Sequence, residues 1–194
     1  MTPRVLLIFL VFAPTAKCLT MAQDRGCSGF KSSPAASISF LEQQIDSRES
    51  PCITRAITQL GRARATDAVA VLVRYLDFVD PATAPRPDGF ANKRTDYPAI
   101  AALFLIGKAA TANLLSTIRI SESTVIRLNA AKAYQAIYRD NLALGIHILR
   151  ISEPAAKSAG QENRLREVRK MLAEDCSHLR EEEALMCKKA EDNR

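Results

Sequence analysis

Self-similarity at fixed offsets constrains this chain more than any other feature, because a unit too small to bury its own apolar face must stack on its neighbours. Displaced by 31 residues, Ala99 falls on Ala130, Ala102 on Ala133, Ile106 on Ile137, Lys108 on Arg139, Leu115 on Ile146, Ile118 on Leu149 and Arg119 on Arg150. Displaced by 46, Leu60 falls on Ile106, Gly61 on Gly107, Arg62 on Lys108, Ala63 on Ala109, Val69 on Leu115 and Leu72 on Ile118. The offsets differ by fifteen residues, about the length of the Pro-rich polar stretch 80–95, which has no helical periodicity. Three units with one inserted loop are expected.

Each unit divides into two helical patterns. Ile53, Ala56, Ile57 and Leu60 form a stripe ending at Gly61, a residue suited to the left-handed conformation of a helix C-cap. Thr66 or Asp67 is then expected to cap a second helix carrying Val69, Leu72, Val73 and Leu76. The grammar recurs with Ala102, Leu103 and Ile106 before Gly107, followed by Leu114, Leu115 and Ile118. In the third unit Ala130, Ala133, Tyr134 and Ile137 precede Asp140, and Leu142, Ile146 and Leu149 follow. Ahead of the units, Ile38, Leu41 and Ile45 predict a short helix. Behind them, Leu165, Val168, Leu172, Cys176, Leu179 and Met186 read as one continuous amphipathic helix.

These units resemble HEAT repeats of the short bacterial kind that also occurs in phycobilisome lyase proteins. The residues that carry the resemblance are Ala56 to Gly61, their counterparts Ala102 to Gly107, and the Val125-Ile126-Arg127-Leu128-Asn129-Ala130-Ala131 run. It covers residues 50–151, and the third unit departs from it by placing Tyr138 where the others have glycine. The resemblance implies an all-α protein, a right-handed α-solenoid of about three helix pairs whose second helices line a concave binding surface. It carries over no lyase activity. Residues 23–49 and 152–194 would supply N- and C-terminal capping helices, the latter as a single helix.

The N-terminus predicts export. Arg4 precedes the uninterrupted apolar run 5–13, and Thr20 and Ala22 offer small residues for cleavage, so residues 1–22 read as a secretory signal peptide. Nine apolar residues make about 14 Å of helix, short of the roughly 20 residues of a membrane span. No membrane span is therefore expected once the signal is removed. Loss of Arg4 and Lys17 lowers the net charge from +6 to +4. Cys27, Cys52, Cys176 and Cys187 remain, an even set suited to disulfides in a periplasmic or secreted protein. Pairing Cys176 with Cys187 meets a geometric test: eleven residues of helix span about 16 Å, whereas bonded cysteines need Cα atoms about 4.4–6.8 Å apart. Either the helix breaks near residues 175–177 or these cysteines pair elsewhere.

Two sets of residues are candidates for function. Arg119 and Arg150 occupy matched positions on second helices, with Arg74 and His147 nearby in sequence terms, and would line the groove for an acidic partner. Within the inserted loop, Phe90 is an apolar anchor among Arg86 and Arg94. A third basic row, Arg62, Lys108 and Arg139, stands where the helix dipole favours cations. No Ser/His/Asp order, His-Glu-x-x-His, phosphate-binding loop or dinucleotide fingerprint is present, so no catalysis and no cofactor are expected. The expected partner is another protein with an acidic surface, and not a nucleic acid, given export and the modest charge. The alternative is a small thiol- or metal-dependent enzyme or redox protein using Cys176, His178 and Cys187.

Overall fold

The computed structural model describes residues 33–48, 52–80 and 96–192. Among them the chain is all-α, without strands. The helices are α1 (Pro34–Gln43), α2 (Ile53–Arg62), α3 (Val69–Leu72), α4 (Pro98–Ile106), α5 (Thr111–Ile120), α6 (Thr124–Ile137), α7 (Leu142–Ser152), α8 (Ala159–Cys176) and α9 (Glu181–Asp192). Short 3-10 turns flank α3 on both sides, join α4 to α5 and follow α7. The signal segment 1–22, Cys27 and the loop residues Arg86, Phe90 and Arg94 lie outside the described residues.

The helix starts follow local chemistry. Side-chain oxygens of Ser33, Ser123, Asn141 and Ser158 accept from the amides three residues on, at 3.2, 3.3, 3.0 and 3.4 Å. Pro34 and Pro98 stand in the first turns of α1 and α4, where a missing N–H costs nothing. The second helix of the first unit departs from expectation. Neither Thr66 nor Asp67 caps it through a side chain; both lie in the 3-10 turn Thr66–Ala68 leading into α3.

Packing is continuous through one apolar core running from Leu41 to Cys187. The three expected first helices, α2, α4 and α6, pack in succession. Their predicted stripes are buried at Ile53, Ala56, Ile57 and Leu60, at Ala102, Leu103 and Ile106, and at Ala130, Ala133 and Tyr134, while Ile137 is only half-buried. Each leucine or isoleucine so buried contributes about 1.5–3 kcal/mol. The stretch Pro98–Ile120 is long and apolar enough to cross a membrane. Part of that apolarity is buried, at Leu103, Ile106, Leu114 and Ile118, while Phe104, Leu105 and Ile120 are exposed.

Gly61 and Gly107, equivalent in the 46-residue register, do different jobs. Gly107 ends α4 with φ +79°, and its amide donates to the Leu103 carbonyl, as expected of a cap. Gly61 lies within α2, buried against α4, and a Cβ there would stand 2.6 Å from Ala102 Cα. Its value is close helix approach, and Arg64 takes the positive φ instead.

The C-terminal segment is two helices, not one. α8 ends at Cys176, a turn follows, and α9 folds back so that Cys187 reaches Cys176 in a disulfide with Cα atoms 6.3 Å apart. The break answers the geometric test. It also removes Leu179 and Met186 from the buried stripe, leaving them 38% and 58% exposed, while Leu165, Val168, Leu172 and Cys176 remain buried. α8 packs against both α5 and α7, and α9 packs mainly on α7. Cys52 is also disulfide-bonded.

Candidate functional site

α5 and α7 end alike. Ile118 and Leu149 are buried, Arg119 and Arg150 follow in the last turn, and Ile120 and Ile151 come next, 60% and 58% exposed. An exposed isoleucine thus follows an arginine near the end of both helices.

The third helix of the group, α8, organises this end. Arg164 Nη1 donates to the Arg119 carbonyl at 2.7 Å and the Ser121 carbonyl at 3.3 Å. Arg127 Nη1, from α6, donates to the Ser121 and Glu122 carbonyls, each at 2.9 Å. Two guanidinium groups therefore satisfy the carbonyls left without partners where α5 stops. Arg119 Nη1 in turn reaches the Ala155 carbonyl, at 3.4 Å, in the 3-10 turn after α7. The ends of α5 and α7 and the start of α8 are brought together by these bonds.

Both arginines of the matched pair retain unused donors. Arg119 Nε and Arg150 Nη1 are buried and have no hydrogen-bond partner. Arg150 Nη2 lies 3.2 Å from His147 Nδ1, one turn back on α7, so the expected proximity of His147 and Arg150 is present. A buried donor without an acceptor costs about 1–3 kcal/mol. Arg74 is exposed on the 3-10 turn after α3, and its carbonyl accepts from Arg48 Nη2 at 2.8 Å. No hydrogen bond among the described residues joins Arg74 to Arg119 or Arg150. Arg62, Lys108 and Arg139 are all exposed at the ends of the first helices, the place the dipole favours.

Elsewhere, a cavity of about 560 Å³ is lined by Lys132, Gln135 and Arg139 of the α6 region together with Asp140, Asp175 and Leu179. Gln135 hydrogen-bonds the Asp175 carboxylate, tying α6 to the end of α8. Charges of both signs face this space, so it has no single electrostatic preference.

Structural polar residues were less visible in sequence than these arginines. Asn129 is buried in α6 and donates to the Leu76 carbonyl at 2.7 Å, which joins the first unit to the third. Tyr134 donates to the Gly145 carbonyl at 2.8 Å, and burial, with Tyr138 beside it, pushes its phenol far above the usual range. Tyr75 donates to the Leu41 carbonyl at 2.6 Å; burial raises its phenol too, against the opposing charges of Arg48 and Arg74.

At the C-terminus, the disulfide removes Cys176 and Cys187 as thiolates, and His178 is exposed in the adjoining turn. Among the described residues no group of three or more His, Cys, Asp or Glu is placed to hold a metal ion. No protein-family model, curated protein or solved structure matches the chain.

Proposed function

We propose that this protein is an exported, non-catalytic scaffold: a HEAT-like solenoid of three helix pairs that binds the acidic surface of another protein through the joined ends of α5 and α7. The observation that carries the reading is the matched pair of partly buried arginines, each with an unpartnered guanidinium nitrogen and each followed by an exposed isoleucine. The side-by-side order of α2, α4 and α6 supports the repeat reading, with α1 and the α8–α9 pair as caps. The Cys176–Cys187 bond supports an oxidising compartment such as the periplasm or the exterior.

Cross-linked capture from the native envelope fraction tests the reading, using the mature chain and an Arg119→Glu, Arg150→Glu variant shown by circular dichroism to be folded. A partner retained by the first and lost by the second is the expected result. An unchanged set of captured proteins removes this surface from the function.

A further inference from the structure

The cavity beside α6 is lined by groups that the arginine pair of α5 and α7 does not involve. Lys132, Gln135, Ala136 and Arg139 follow i, i+3, i+4, i+7 spacing, so one face of α6 and of the turn after it forms a wall. Ile100 of α4 and Leu142 of α7 also line it, only 2% and 6% exposed, and supply an apolar floor. The end of α8 contributes Asp175, and the turn before α9 contributes Leu179. The exposed Leu179 thus belongs to the side of a concavity. A volume of about 560 Å³ is of the size that holds a small organic molecule.

Charge narrows the choice of molecule. Lys132 and Arg139 are balanced by Asp140 and Asp175, so an ion of either sign meets a like charge as well as an opposite one. A molecule with one charge of each sign meets both favourably. Lys132 is engaged, donating to Asn129 Oδ1 at 3.3 Å. The Arg139 guanidinium makes no hydrogen bond or ion pair among the described residues, which leaves its planar fork of donors open to a carboxylate. Asp175 accepts from Gln135, but glutamine is neutral, so the carboxylate keeps its charge and further lone pairs. It also stands at the C-terminal end of α8, where the helix dipole favours a cation. Asp140, by contrast, precedes α7, whose N-terminal dipole offsets its charge.

The open cation and the anion are set apart by α6. Arg139 lies four residues beyond Gln135, the residue that holds Asp175, or about 6 Å along the helix. The ammonium and carboxylate of a single amino acid share one carbon and are too close to span that separation. The ends of an extended dipeptide, at roughly 3.3–3.6 Å per residue, match it.

We infer that this cavity binds a dipeptide with free termini and apolar side chains: its carboxylate on the Arg139 guanidinium, its ammonium on the Asp175 carboxylate, and its side chains against Ile100, Leu142 and Leu179. The site is separate from the arginine pair of α5 and α7, and neither reading depends on the other.

Calorimetric titration of the oxidised chain with leucyl-leucine is the test, beside its N-acetyl form, its C-terminal amide and free leucine. Arg139→Gln alters an exposed side chain, and Asp175→Asn keeps an oxygen for Gln135. Leucyl-leucine is expected to saturate the protein at millimolar concentration or below, and the blocked dipeptides and free leucine to bind at least tenfold more weakly. Arg139→Gln should lose about tenfold for the free dipeptide and nothing for the amide, and Asp175→Asn about tenfold for the free dipeptide and nothing for the N-acetyl form, since each variant removes what the blocking group already removed. No saturable heat from leucyl-leucine, blocked forms that bind as well as the free one, or a variant that loses equally for free and matching blocked ligand would overturn the proposal. The comparison of free with blocked ligands uses the wild type alone, so it decides the matter even if a variant fails to fold. An N-acetyl form bound as tightly as the free dipeptide, with the amide bound weakly, would overturn the proposal in favour of the C-terminus of a longer chain.

Discussion

Where the apolar face of α2 meets α4, the helices approach so closely that Gly61 has no room for a single added carbon beside Ala102. Where α8 meets α9, the helices are rich in charge and their closure is covalent, through Cys176 and Cys187. The first contact is built from shape and burial, and it lies in the centre of the packed row. The second joins α8 to α9 by a covalent bond between two helices of low mean apolarity. The contrast separates failures that unfold the molecule from failures that only release its end.

The largest effect is expected at the tight contact. Gly61→Ala forces α2 and α4 apart against backbone atoms and should cost about 3 kcal/mol, with one cooperative transition moved to lower denaturant. A change within a few tenths of a kcal/mol would mean that the approach is not tight. Replacing Cys176 and Cys187 together by serine should cost about 2–3 kcal/mol by loop-closure arithmetic. The loss should be regional: amides of α9 lose hydrogen-exchange protection while those of α2, α4 and α6 keep theirs. Loss of protection throughout would erase the distinction between the two regions.

Gly107→Ala sharpens it further, because the space around Gly107 is open and only its φ of +79° opposes a side chain. The expected cost is about 1–2 kcal/mol, and reducing Ala102 to glycine should not relieve it, whereas the same change should ease Gly61→Ala in part. Tyr134→Phe removes one buried hydrogen bond, worth about 1 kcal/mol at neutral pH. Its pH dependence has a definite sign. The folded phenol stays protonated well above the value near 10 at which the unfolded chain ionises, so stability is full below about pH 10 and falls as pH rises beyond it. The variant should flatten that alkaline decline in thermal unfolding. Smallest of all, Glu162→Gln breaks a half-exposed pair with Arg166, one turn away on the same helix, and a shift below about 0.5 kcal/mol is expected in urea titration.

The helices and most of their buried faces were legible in sequence because amphipathic periodicity is local: Leu60, Leu72, Leu103, Leu115 and Leu149 all stand in the core where spacing put them. Helix ends were less legible. Gly61 and Gly107 look the same in sequence, and only the neighbour at Ala102 distinguishes a packing glycine from a capping one. At the candidate site the equivalence of Arg119 and Arg150 could be read from the repeat, and the exposed Ile120 and Ile151 follow from the same register. Arg127 and Arg164 could not be assigned, because Arg164 acts on the Arg119 carbonyl of α5 from α8 and Arg127 on the carbonyls of the turn just after α5.

By itself the sequence determined an all-α chain and most of the apolar residues its helices hide, since these depend on composition and on the 3.6-residue period. Only the tertiary structure decided that the last pattern breaks at Cys176, that α9 folds back on α7 and that α8 draws the ends of α5 and α7 together. These depend on which surfaces compete for burial once the chain has folded, and a helix carries no local record of the partner it will meet.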